Sequence, residues 1–161
     1  MTSRTFAIRR VQAFCYRYPL STPVVTSFGR MLNRPAVFVR VEDEDGQVGW
    51  GEVWANFPST GAEHRARLVN EVLAPALSGF TANEPSDVFD TLTKGTSVLA
   101  LLKLKIGFDL ALLEVDANDN PLRDRFRGPV ADIRDGMVRL GDNPGLGIEP
   151  DLSSIEQYRT A

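Results

Sequence analysis

Two short apolar runs and the acidic turn between them constrain this chain more than any other feature. Val37, Val39 and Val41 alternate with Ala36, Phe38 and Arg40, and a second run begins at Val48 after Glu42-Asp43-Glu44-Asp45-Gly46. Alternation at period two marks a half-buried strand, and Asp-Gly between two such runs is a strong hairpin signal. The pattern predicts antiparallel strands over 36–41 and 48–53. Gly49 and Gly51 leave one face of the returning strand nearly bare, which predicts a close neighbour there. Residues 5–18 read as a third strand, with Val11, Ala13 and Cys15 on one face. A change of phase near Arg9-Arg10 implies a bulge. The first third of the chain is therefore expected to be a three-stranded antiparallel meander. Residues 20–34 lack a clear period, carry Pro23 and Gly29, and read as a long loop.

Beyond the meander the period changes. Residues 54–59 read as a second loop with exposed aromatics. Thr60-Gly61-Ala62-Glu63 fits a capping box, and Ala62, Ala66, Val69 and Leu73 recur at helical spacing as far as Pro75. Pro85 suits the first turn of another helix, with Val88, Phe89 and Leu92 inward and Gly95 as its stop. Residues 96–115 are the most apolar stretch, and period alone does not separate a buried strand from a buried helix there. Residues 116–120 and Asp135-Gly136 read as turns, 143–147 as a glycine-rich loop, and 153–158 as a short terminal helix. The fold class is α+β.

Length and composition exclude several classes. With 161 residues the chain is one ordinary domain and falls short of the roughly 200–250 residues of a complete (β/α)₈ barrel. Eighteen basic and 21 acidic residues give a net charge of −3, a poor match to nucleic acid. No apolar run approaches the ~20 residues of a membrane span, and the first thirty residues hold no apolar signal core. A single cysteine, Cys15, rules out an internal disulfide framework and fits a reducing cytoplasm, where the chain is expected to reside. The one histidine, His64, falls on the polar side of its helix, so a Ser-His-Asp triad or a histidine-built metal site fits poorly.

Few residues carry chemistry by spacing alone. Lys103 and Lys105 are the sharpest pair. On a strand they share a face, and two adjacent ammonium groups depress each other's pKa, as a lysine base requires. On a helix they diverge by about 200°, and the pair is simply solvated. Asp116-Ala117-Asn118-Asp119-Asn120 opens like a calcium loop but has Pro121 and Arg127 where such a loop needs glycine and glutamate. It reads as an Asx-rich turn before a proline. Gly145 and Gly147 lack the lysine and the helix start of a phosphate loop. Trp50, Trp54, Phe28 and Phe57 are candidates to line an apolar pocket or to pack in the core. Glu52, Glu114 and Asp116 lie in different elements, and no spacing pairs them.

Two blocks resemble the mandelate racemase and muconate lactonizing enzyme group of the enolase superfamily. The first holds Tyr18-Pro-Leu-Ser-Thr-Pro, Ser27-Phe-Gly-Arg, Val39-Arg-Val-Glu-Asp-Glu-Asp-Gly, Val48-Gly-Trp-Gly-Glu and Leu73-Ala-Pro-Ala-Leu-Ser-Gly. It is similar to that group's N-terminal capping domain, a three-stranded meander followed by helices. The second block holds Leu113-Glu-Val-Asp-Ala-Asn-Asp-Asn-Pro-Leu-Arg-Asp and Asn143-Pro-Gly-Leu-Gly-Ile-Glu-Pro-Asp. It resembles the last barrel strand and the tail that returns to the cap. Lys103-Leu-Lys105-Ile-Gly, between them, looks like the Lys-x-Lys motif of the second barrel strand. A second alignment reads Asp109-Leu-Ala-Leu-Leu-Glu114 as the cap helix that precedes the barrel; the last-strand reading is preferred, because Asn120-Pro-Leu-Arg and the tail continue it without a break.

The resemblance implies residues 1–95 as capping domain, 96–128 as a remnant of an incomplete (β/α) barrel and 129–161 as the returning tail. It implies Mg²⁺-assisted removal of a proton α to a carboxylate, as in a racemase, cycloisomerase or acid-sugar dehydratase. Lys105 would be the base and Lys103 its tuner. Thr26, Phe28, Trp54 and Phe57 would stand on the substrate-facing loops. No segment corresponds to the strands that supply the family's metal carboxylates, so the chain is expected to bind no Mg²⁺ and to be inactive alone. Two further readings stay open. One is an enzyme completed by another chain, a homo- or hetero-oligomer formed through the apolar 98–113 stretch. The other is a non-catalytic module that binds a small carboxylate or a protein through loops 20–34 and 54–60.

Overall fold

The computed structural model describes residues 5–27, 29–56, 60–95, 120–126, 128, 134, 142–143 and 147–161. Three long strands dominate: β1 (Phe6–Thr26), β2 (Gly29–Asp43) and β3 (Val48–Val53). A two-residue strand, β4 (Thr81–Ala82), joins them in a four-stranded antiparallel sheet of order β3-β2-β1-β4. The meander is as expected, with β4 as an addition that a two-residue strand gives no period to reveal.

The acidic turn behaves as its sequence requires. Gly46 takes a φ of 79°, its N–H donates to the Asp43 carbonyl at 3.0 Å, and the Asp43 carboxylate accepts from the Gln47 N–H at 2.7 Å. The phase change near Arg9 is a register shift between Ile8 and Arg10.

Residues 20–34 are not a loop. They are the distal part of the β1–β2 hairpin, paired at Val24↔Met31, Val25↔Arg30 and Thr26↔Gly29. Between Pro19↔Asn33 and Val24↔Met31 the register slips, so that residues 20–23 of β1 lie opposite residue 32 of β2. A bulge of this kind breaks period two and bends the strand, which is why alternation fails as a signal there. Gly29, at φ 132°, closes the tip in a conformation that side-chain-bearing residues rarely adopt.

Both faces of the sheet are covered. On one, Ala13, Cys15 and Val37 pack against Ala55, Ala62, Ala66 and Val69. The covering helix runs as α1 (Gly61–Leu68), a π-helical turn (Val69–Leu73) and α2 (Ala74–Leu77). It therefore passes the expected stop at Pro75. A widened turn lies just before Pro75, which has no N–H to donate back. The capping box does not form either: Thr60 stands at the helix start but makes no side-chain cap. The helix stops short of Gly49 and Gly51, and among the described residues nothing lies within 4 Å of where a Cβ would sit on either. The neighbour expected there is not among them.

On the opposite face Tyr16, Ala36 and Phe38 pack against Leu122, Phe126 and Ile155. Leu122 and Phe126 come from α4 (Pro121–Phe126), and Ile155 comes from a 3₁₀ helix (Leu152–Tyr158). Phe38 and Phe126 meet edge to face at 5.0 Å, as do Tyr18 and Tyr158 at 5.2 Å. Asn120 accepts from the Leu122 N–H at 3.2 Å, so the Asx turn before Pro121 starts a helix. α3 (Pro85–Gly95) has its expected bounds, but Phe89, expected inward, is 57% exposed.

Candidate functional site

Sheet register decides which loops meet. Val53 pairs with Val37, so the chain leaves β3 at the end of the sheet where β1 and β2 run on into the 24–31 arm. Residues 54–56 therefore emerge beside the base of that arm. The two segments expected to face substrate stand at one end of the sheet, although about thirty positions separate them in sequence.

Thr26 sits in the last pair of the arm, where its hydroxyl donates to the Gly29 carbonyl at 3.3 Å. Trp54 is 58% exposed, and Val25 and Leu32 are 72% and 61% exposed. All three lie toward this end of the sheet. Phe28, Phe57, Lys103 and Lys105 lie outside the described residues. Trp50, in contrast, packs against the second core beside Phe14 at 6.2 Å. His64 is exposed, as expected.

Beneath the arm lies a polar cluster that spacing gave no reason to expect. Arg17 of β1 reaches across to the first turn of α1. Its Nε donates to Glu63 Oε1 at 2.5 Å and its Nη2 to Oε2 at 2.6 Å, a two-pronged pair. Its Nη1 donates to Asn33 Oδ1 of β2 at 2.7 Å. The Thr160 hydroxyl donates to Glu63 Oε1 at 3.1 Å. The Arg17 bonds hold the Glu63 carboxyl down at about 2, and the same bonds raise the Arg17 guanidinium above its ordinary value. The Glu63 carboxylate that a capping box would turn back on Thr60 is thus taken up by Arg17.

A second contact of the same kind involves Asn70. Its amide accepts from the Ala13 N–H at 2.7 Å and donates to the Ala13 carbonyl at 3.0 Å, reproducing a strand's pairing with one side chain. The chain end does likewise for Cys15, whose N–H donates to the Ala161 carbonyl at 2.8 Å and whose carbonyl accepts from the Thr160 N–H at 2.7 Å. Burial raises the Cys15 thiol above its ordinary value, which leaves it a protonated core group.

Among the described residues no group of three or more His, Cys, Asp or Glu side chains is placed to hold a metal ion. The described residues thus do not by themselves supply a ligand set for the magnesium that the resemblance implies. No helix among them is long and apolar enough to cross a membrane.

Comparison with known proteins agrees with this architecture. The family model for the mandelate racemase/muconate lactonizing enzyme N-terminal domain matches residues 8–123. The chain is 46% identical to a mandelate racemase/muconate lactonizing enzyme from Bordetella bronchiseptica RB50, with a TM-score of 0.51 over 65% of this chain and 26% of that one. It is 26% identical to the N-succinyl-L-Arg/Lys racemase of Bacillus cereus over 110 residues, which is 67% of this chain and 29% of the relative. A 48-residue stretch is 44% identical to the o-succinylbenzoate synthase of Thermosynechococcus vestitus, covering 30% of this chain and 15% of that protein. The chain thus spans less than a third of each of these relatives. With a four-stranded antiparallel sheet, helices on it and a match over most of its length, the chain belongs to the mandelate racemase/muconate lactonizing enzyme family through its N-terminal domain.

Proposed function

We propose that this chain acts as the capping unit of an α-proton-abstracting enzyme and does not carry out that reaction alone. One observation carries the reading: the 24–31 arm and the 54–56 segment emerge together at one end of a sheet that belongs to this family's N-terminal domain. Such an end can bind and orient a small carboxylate substrate and exclude water from it. The reaction itself needs a base beside the carbon and a cation at the carboxylate, and the described residues offer no cation site.

The family match, which runs to residue 123, also favours the second alignment over the last-strand reading, since it assigns residues 109–114 to the cap; those residues lie outside the described ones. Lys103 and Lys105 then belong to the cap and not to a barrel strand. The chain is tested by incubating it with Mg²⁺ and mandelate or an N-succinyl amino acid in D₂O and following exchange of the α-proton. No exchange above the chain-free control is expected. Exchange that is lost in Lys105→Ala would overturn both the capping reading and this alignment.

A second reading, completion by another chain, draws support from the exposed Val25, Leu32 and Trp54, which favour a surface covered in the working state. Mass measurement on the native complex separates the two readings: a stable hetero-complex that exchanges the proton would establish the second.

A further inference from the structure

We propose that Arg17 is a positioning residue that sets the angle of the 24–31 arm, and that the chain's C-terminal residues tune it through Glu63. The arm's relevance to substrate rests on the capping reading above; the clasp does not.

The arm is attached to the sheet through a mechanical weak point. Between Pro19↔Asn33 and Val24↔Met31, residues 20–23 bulge opposite residue 32, so regular pairing is interrupted where the arm begins. A bulge leaves backbone groups unpaired and lets the strand bend. The direction of the arm then depends on how firmly the foot of the bulge is held, and Arg17 holds it. Its guanidinium joins three elements at this point. Nη1 holds Asn33, the last β2 residue paired before the bulge. Nε and Nη2 grip Glu63 on α1, which is anchored in the core by Ala62 and Ala66. A planar two-pronged pair fixes orientation as well as distance, which a single point charge does not. The pair is part-buried, with side-chain exposures of 18% for Arg17 and 28% for Glu63, so water competes weakly for it.

The chain end sits on the same carboxylate. Thr160 donates to Glu63 Oε1, and its backbone is pinned to β1 at Cys15. Arg159 lies over the Phe14 ring at 5.4 Å and pairs with Tyr16 across an isolated bridge. Displacing residues 159–161 therefore removes one of the groups that orient Glu63 and loosens the grip on Arg17. The structure thus links the C-terminal segment to the hinge of the arm through a chain of Thr160, Glu63, Arg17 and Asn33.

Amide hydrogen exchange of the full chain tests this without any assay of activity. In Arg17→Met, exchange of residues 24–31 should rise about tenfold while amides of residues 37–41 keep their protection. A purely structural role would speed both sets in proportion, and that result, like unchanged arm rates, overturns the proposal. Arg17→Lys should behave like Arg17→Met, because it keeps the charge but not the fork; full restoration by lysine also counts against the clasp. Thr160→Val should speed the arm about two- to threefold and Thr160→Ser should restore it. Should Arg17→Met fail to fold, the threonine pair decides: equal arm rates in Val and Ser variants overturn the coupling. Failure of the capping reading would leave every one of these outcomes unchanged.

Discussion

Glu63 illustrates how one carboxylate can be read two ways. By sequence it completes a capping box; in the fold it is the acceptor of a guanidinium 46 positions away. Its pKa is lowered in the folded chain from 4.5 to about 2. As pH falls, the unfolded chain therefore takes up the proton first. The stabilisation is complete above about pH 4.5 and is lost as pH drops toward about 2. By linkage the pair is worth on the order of 2–3 kcal/mol after allowance for solvent screening. Urea unfolding at about pH 6 and pH 3 should show the wild type losing stability across that window and Glu63→Gln losing little. Asn70 is a second single-residue anchor. Asn70→Ala strands both the N–H and the carbonyl of Ala13 and should cost roughly 1–3 kcal/mol, read as a lower urea midpoint at unchanged m-value.

At the scale of elements, β1 is the organiser. Its long outer edge would be a template for another chain's strand if left bare. Instead it is covered piecewise: by β4 at Phe6 and Ala7, by the Phe80 carbonyl and the Gly79 N–H at Ile8, by Asn70 at Ala13 and by the chain end at Cys15. None of these covers is a strand that alternation would reveal. The β2–β3 connection is the opposite case, since its geometry is written locally. Gly46→Ala places a Cβ in the left-handed region and should destabilise the chain by about 1–2 kcal/mol, measurable as a drop in Tm. Among the described residues nothing lies within 4 Å of the added methyl group, so the loss is assigned to backbone strain.

For the molecule as a whole, the sheet is a central layer with one helical cover from the middle of the sequence and one from its end. Ile155 is fully buried beneath the second cover, beside Tyr16 and Phe38. Ile155→Ala should therefore cost about 2–5 kcal/mol, and thermal unfolding should show the whole domain failing in a single transition. The covalently distant ends of the chain thus share one core. This makes the residues after 147 part of the folding unit and not an appendage.

Strands 36–41 and 48–53, their Asp-Gly turn, the bulge at Arg9 and the helix from Pro85 were legible because each is specified by neighbours within a few positions. Period two, a left-handed glycine and a helix-starting proline act over one or two turns of chain. The paired arm at 20–34 was not, because the bulge that lets it bend also erases its alternation. Nor were β4, the Arg17–Glu63–Asn33 clasp or the Asn70 pairing with Ala13. Those depend on groups brought together from 16 to 76 positions apart, and contacts over such distances leave no period in the sequence. Local chemistry determined which segments would be strands and helices. Only the closed sheet, with both faces packed, decided which polar side chains would meet.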